Sequence, residues 1–243
     1  MPTFLHGKNT RVLFSNPALN SSYDISQFFN DVSVSTSIEA QETTTFQTGG
    51  VKSYITGLKD GTISFTGLYD GTSNGVDQIL TDAINNDGND SVLVFPNGAV
   101  SDNEVCYMAS GIETKYDLKS PVAGVVSVDA EVQATDGVRR GRGKYFTTTA
   151  TGSSVAFNNN SASTKGGFLT IGVLSLTGTL SLTFQHGSNG SVYVDMTTPM
   201  TAVGTQVYTT AMLPASMLQY TRLNWTLSGV SPSATIFYGF SRF

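Results

Sequence analysis

A chain of 243 residues with one cysteine and a net charge of −5 has the length for one large or two ordinary domains and cannot form an internal disulfide. Only 13% of its residues are charged, against ~25% in ordinary soluble proteins; Thr, Ser, Gly and Asn replace them, leaving a neutral polar surface that a partner can bury without desolvating ions. Residues 1–146 hold 10 Lys/Arg against 17 Asp/Glu, and residues 147–243 three against one, so the acidic first half is unsuited to capturing nucleic acid through its phosphates.

The start, "MPTFLHGKNTR", has no apolar stretch of the secretory kind. No run approaches the ~20 apolar residues of a membrane helix. The terminal "IFYGFSRF" has the aromatics of an outer-membrane barrel strand, but Gly239 and Ser241 break its alternation. The expectation is a chain that folds in a reducing cytoplasm without inserting in a membrane, with Cys106 of "EVCYMAS" an inert buried thiol.

Period-two alternation marks the first long strand, "DVSVSTSIEAQ": Val32, Val34, Ile38 and Ala40 share one face, and Ser33, Ser35, Ser37 and Glu39 the other. The pattern resumes at Thr62 in "DGTISFTGLYDG", where Ile63, Phe65 and Tyr69 oppose Thr62, Ser64 and Thr66. Between the two lies a polar stretch far longer than the two to five residues of an ordinary hairpin. Its core, "QETTTFQTGGVKSYITG" at 41–57, scatters Phe46, Tyr54 and Ile55 among threonines around Gly49-Gly50. Aromatics in a pliable polar loop suit a docking segment that orders on contact; the plainer alternative is a mobile surface loop.

In "TSNGVDQILTDAINNDG" a helix is predicted, with Asn74 as cap, Asp77 in the first turn, an apolar stripe of Val76, Ile79, Leu80 and Ala83, and Gly88 as stop. A strand follows in "EVCYMASGIETKYDLK", with a bulge expected near Ser110-Gly111. In "VVSVDAEVQATDG", Val126, Val128, Ala130 and Val132 oppose Ser127, Asp129, Glu131 and Gln133. Asp60-Gly61, Asp70-Gly71, Asn97-Gly98, Asp136-Gly137 and Asn189-Gly190 read as turns. Composition changes across 136–154, where a domain boundary is expected. Beyond it, short strands between Gly, Asn and Pro turns predict a small β-sandwich.

Signals for chemistry are sparse. His186 beside Ser188 in "QHGSNGS" has only Asp195 as an acid in its half, and reads as a turn histidine. Glu39, Asp129 and Glu131 have the residue type of a glycosidase pair but sit on a strand face open to solvent. "NNDGND" lacks the spacing of a Ca²⁺ loop. Neither an enzyme nor a metal or cofactor site is expected. The basic run "RRGRGK", with Arg139, Arg140, Arg142 and Lys144, has no interleaved aromatics for nucleic acid and suits a linker or an interface with acidic groups.

Taken in order, "HGKNTRVLFSNPALNSSYDISQFFNDVSVS", "ETTTFQTGGVKSYITGLKDGTISFTGLYDG", the helix and "DGVRRGRG" resemble the major tail tube proteins of long, non-contractile-tailed bacteriophages over residues 4–146. The remainder is similar to the Ig-like or sandwich-type domains that some such proteins display outside the tube. The resemblance implies a mainly β fold: a tail-tube β-sandwich or barrel with one flanking helix at 1–146, and an outer sandwich decoration domain at 147–243. It implies homo-hexameric rings whose strands join into an inner barrel and stack into a tube, the conduit for DNA ejection. Ser33, Ser35, Ser37, Glu39, Ser127, Asp129, Glu131 and Gln133 would face the lumen, where DNA slides without specific binding. The loop 41–57, through Thr43, Thr44, Thr45, Phe46, Gly49, Gly50, Tyr54 and Ile55, would join ring to ring. Tape-measure, tail-terminator and distal tail proteins would be the other partners, in a virion tail assembled in the bacterial host cytoplasm. The alternative is a carbohydrate-binding adhesin acting through the C-terminal sandwich, with exposed aromatics around Tyr193, Tyr208, Tyr220 and Trp225.

Overall fold

The computed structural model describes residues 7–44, 49, 51–86, 88–99, 101–202, 204, 206–213 and 216–243, with no side-chain description for 206–212. Its architecture is mainly β, with one α-helix among the described residues. The first part of the chain contributes β1 (Arg11–Asn16), β2 (Ser21–Asp24), β3 (Phe29–Glu42), β4 (Tyr54–Leu68), α1 (Val76–Ile84), β5 (Asp90–Phe95), β6 (Glu104–Lys119) and β7 (Ser127–Ala134). Every pairing is antiparallel, in the order β3-β4-β7-β6-β5-β1-β2.

One face of this sheet is apolar because the alternating apolar residues of its strands all point to it, as expected. Ile63, Phe65, Val128, Ala130 and Val132 are buried together with Val76, Ile79, Leu80 and Ala83 of α1, and Val32 and Val34 pack against them. The helix begins one residue later than expected, with Gly75 as N-cap and no side-chain cap bond; Asn74, at φ 59°, belongs to the preceding turn. Asp77 instead anchors the helix to the sheet by accepting a hydrogen bond from the Tyr116 hydroxyl on β6. Tyr116→Phe is expected to lower stability by about 1 kcal/mol, read as a lower midpoint in thermal unfolding.

β6 departs from its expected shape. The register shift falls between Glu113 and Lys115, not at Ser110-Gly111. The strand alternates through Gly111 and so turns Ile112 out to solvent and Glu113 into the core under α1. Both Glu113 oxygens, and Oδ2 of buried Asp90 at the start of β5, have no hydrogen-bond partner among the described residues. Burial pushes the Asp90 carboxyl up to about 7. Burial, with Asp90 nearby, pushes Glu113 up to about 9.

The chain continues with β8 (Arg139–Thr148), β9 (Gly152–Ser153), β10 (Phe157–Asn158), β11 (Gly167–Gly187), β12 (Val194–Asp195), β13 (Met200–Ala202), β14 (Gln206–Leu213) and β15 (Tyr220–Arg242). β11 and β15 are long partners, with β12, β13 and β14 along the other edge of β11. Their core includes Leu182, Phe184, Leu223, Trp225, Ile236 and Phe240.

The boundary expected at 146/147 falls inside β8. This strand pairs with β6 through Arg139–Gly143 and with β15 through Arg142–Thr148, and all the sheet strands are thereby connected. A third core cluster draws on both parts: Leu13, Leu93, Phe95, Cys106 and Met108 meet Phe168 and Phe237. The glycines of "RRGRGK" serve this passage. A Cβ on Gly143 would stand 2.0 Å from the Tyr238 carbonyl oxygen, so no side chain fits between the two neighbours of β8.

Candidate assembly surface

The hydroxyl-and-acid face predicted from β3, β4 and β7 is continuous. Ser33 lies opposite Ser64, Ser35 opposite Thr62, and Ser37 opposite Asp60. Across the next pair, Ser64 is opposite Glu131, Thr66 opposite Asp129, and Thr62 opposite Gln133. Thr66 Oγ1 donates to Asp129 at 2.8 Å and Ser64 Oγ to Glu131 at 3.3 Å. Gln133 Nε2 donates to the Gly61 carbonyl at 3.2 Å. Ser127 opens β7 opposite Leu68, and Glu39 lies beyond on β3, its Oε2 accepting from Gln41 at 3.2 Å.

Two lysines missed by the sequence reading temper this face. The register shift in β6 brings Lys115, Asp117 and Lys119 opposite Glu131, Asp129 and Ser127. Lys119 pairs with Asp129, and Lys115 with Asp117 at 3.2 Å. The Lys119 contact, followed by the Thr66 hydroxyl, holds the Asp129 carboxyl below the ordinary carboxylate range. No alternation pattern announces these lysines, because their side depends on one extra residue in the strand.

β3 is an open edge. All of its ladder is made with β4, and its other side is unpaired among the described residues. β4 in turn pairs with β7 only from Thr62 to Leu68. Residues 36–42 and 54–60 therefore project beyond the sheet as a two-stranded arm, exposed on both faces except at half-buried Gly57. The connection is shorter than the sequence suggested, running from 43 to 53, since a strand bare on both sides has no reason to alternate. Thr43 N–H donates to the Ser53 carbonyl at 2.8 Å, Thr44 Oγ1 accepts from Ser53 N–H at 3.1 Å, and Lys52 pairs with Glu42 at 3.1 Å. Thr45, Phe46 and Gly50 lie outside the described residues; Gly49 sits at φ 64°. Asp60-Gly61, expected as a turn, runs straight inside β4. Its glycine answers a close approach: a Cβ there would stand 2.8 Å from Val138 N.

The arm carries apolar side chains in the open. Tyr54, Ile55 and Ile38 are more than half exposed, as are Val51 and Leu58, which the sequence reading passed over; Leu58 reaches 76%. At the opposite end of the same strands, Leu68, Leu118, Val122 and Val125 are also exposed around the β6–β7 connection.

The remaining sequence candidates have local partners. Arg139 stacks 4.3 Å from the Phe243 ring, and Lys144 pairs with Asp102 at 2.9 Å. Arg142 donates to the Asn103 carbonyl at 3.2 Å, while Arg140 is exposed. His186 Nδ1 accepts from Leu218 N–H at 3.1 Å, and Asp195 accepts from Gln185 at 2.7 Å, so the two do not meet. Trp225 is buried with its Nε1 donating to the Ala150 carbonyl; Tyr193 carries Arg222 over its ring, and Tyr220 accepts from Asn158 at 3.4 Å. The side chain of Tyr208 lies outside the described residues. Among the described residues no helix is long and apolar enough to cross a membrane, and no group of three or more metal-ligating side chains occurs.

No protein-family model matches the chain, and no curated protein matches it in sequence. Solved structures similar to it include the SPP1 tail tube, at 12% identity and a TM-score of 0.46 over 56% of this chain and 78% of that one. The tail of an empty gene transfer agent particle is 13% identical, with a TM-score of 0.45 over 55% and 96%. The SPP1 Dit protein is 12% identical, with a TM-score of 0.38 over 96% and 99%.

Proposed function

We propose that this chain is a structural protein of a phage tail that assembles with copies of itself into stacked hexameric rings, forming the tube through which DNA leaves. The observation that carries the reading is the open edge of β3 with its projecting apolar arm. A long exposed edge with hydrophobic side chains is a template for association. Here a neighbouring copy completes it by adding a strand. The arm, projecting beyond the other strands, makes a second, heterologous contact with the next ring, and repetition of that contact gives a filament.

The hydroxyl-and-carboxylate face then lines the channel. Its lysines are held by Asp117 and Asp129, so phosphate meets hydroxyls and partnered charge and slides without specific binding. Tape-measure, terminator and distal tail proteins are its further partners, and the virion tail is the site of action. The part of the chain beyond β8 faces the outside of the tube.

Negative-stain microscopy of the purified protein at rising concentration tests the proposal. Rings or hollow rods are expected. A particle that stays monomeric at high concentration overturns it.

A further inference from the structure

The β8–β15 pair holds a feature separate from the arm. Arg142 lies opposite Phe240, and the same register continued by two residues sets Arg140 against Arg242, so these four side chains belong to one face. They surround a depression of about 220 Å³, also lined by Phe157 and Asn159. Arg142 donates to the Asn103 carbonyl at 3.2 Å and stands 5.4 Å over the Phe157 ring. Arg242 donates to the Ser161 carbonyl and, at 3.3 Å, to the Asn159 carbonyl. These carbonyls orient the guanidinium groups without neutralising them. Arg139 and Lys144, on the same strand, each have a carboxylate partner; Arg140, Arg142 and Arg242 have none among the described residues, and no acid lines the depression.

Three guanidinium groups around one concavity repel one another unless an anion sits among them, and their planar forks match an oxyanion through paired hydrogen bonds. The space is below the ~300 Å³ at which pockets for drug-sized ligands begin, which suits a single anionic group. We propose that this pocket binds one oxyanion, a carboxylate or phosphate group, held between Arg140, Arg142 and Arg242. The group comes either from free anion in solution or from an acidic side chain of a second copy.

The test uses the full chain and inorganic phosphate. At constant ionic strength, replacing chloride by phosphate is expected to raise the melting temperature, and titration is expected to saturate. Arg140→Ala, at an exposed position, should bind phosphate at least tenfold more weakly with an unchanged melting temperature in chloride; Arg140→Lys should recover part of the affinity. Absence of a phosphate effect, or an equal effect in wild type and Arg140→Ala, overturns the site. Sedimentation at matched ionic strength assigns the source: if a second copy supplies the anion, phosphate and Arg140→Ala both reduce self-association, and if free anion fills the site neither does. The melting arm needs no assembly, so failure of the pocket and failure of the tube reading are told apart.

Discussion

At pH 8.5, Glu113→Gln is expected to be more stable than the wild type by about 3 kcal/mol, and at pH 5.5 the two should differ by less than about 1 kcal/mol. The sign follows from burial. The folded carboxyls of Asp90 and Glu113 sit at about 7 and about 9, above their ordinary 3.8 and 4.5. Between the unfolded and folded values the folded state binds more protons, so stability falls as pH rises through that window and levels off above it. Glutamine keeps the shape and cannot ionise. It leaves a buried amide short of partners, which takes back about 1–3 kcal/mol, so a net gain appears only at high pH, where ionisation of the carboxyl in the unfolded chain has cost the wild type more than that. Urea unfolding of both proteins at the two pH values measures it. A wild type as stable at pH 8.5 as at 5.5, relative to the variant, contradicts the buried neutral acid. In an Asp90→Asn background, the Glu113 transition should move to lower pH, because Asp90 contributes to its elevation.

Replacing residues 44–52 by Asn-Gly is expected to abolish elongation while leaving the subunit folded. Thr43 N–H and the Ser53 carbonyl already hydrogen-bond at 2.8 Å, so a two-residue turn can close the ladder there without strain. No described residue of the segment removed belongs to the core under α1, and the melting temperature should shift by no more than about 2 °C, as for surface changes distant from the core. Loss of ring-to-ring contact would appear as single rings or small oligomers where the wild type forms rods. Normal rods from this variant would refute the stacking role of the connection at the arm's tip. Leu58→Glu, which charges the arm without shortening it, should weaken elongation in the same direction.

Much of the first half was legible in sequence because burial there is one-sided. In β3 and β7 each valine faces a core and each serine or acid faces out, so period-two alternation reports both the strand and its faces. The helix was legible for the corresponding reason at its own period. Legibility failed where that asymmetry ends. Residues 54–60 are exposed on both sides, apart from half-buried Gly57, and looked like loop and turn. "RRGRGK" looked like a connection because its glycines and charges carry no hydrophobic signal, although β8 is held on both edges.

Composition and periodicity by themselves determined that this chain is mainly β, that one helix covers an apolar sheet face, and that hydroxyls and carboxylates share the opposite face. Only the tertiary structure decided that Glu113 points inward and Ile112 outward, that Lys115 and Lys119 join the polar face, and that Arg140, Arg142 and Arg242 surround one depression. The physical reason is the same in all three cases. A local pattern records which residues prefer water, whereas a register shift or a pairing between distant strands sets where each side chain points, and that is fixed by partners far away in the chain.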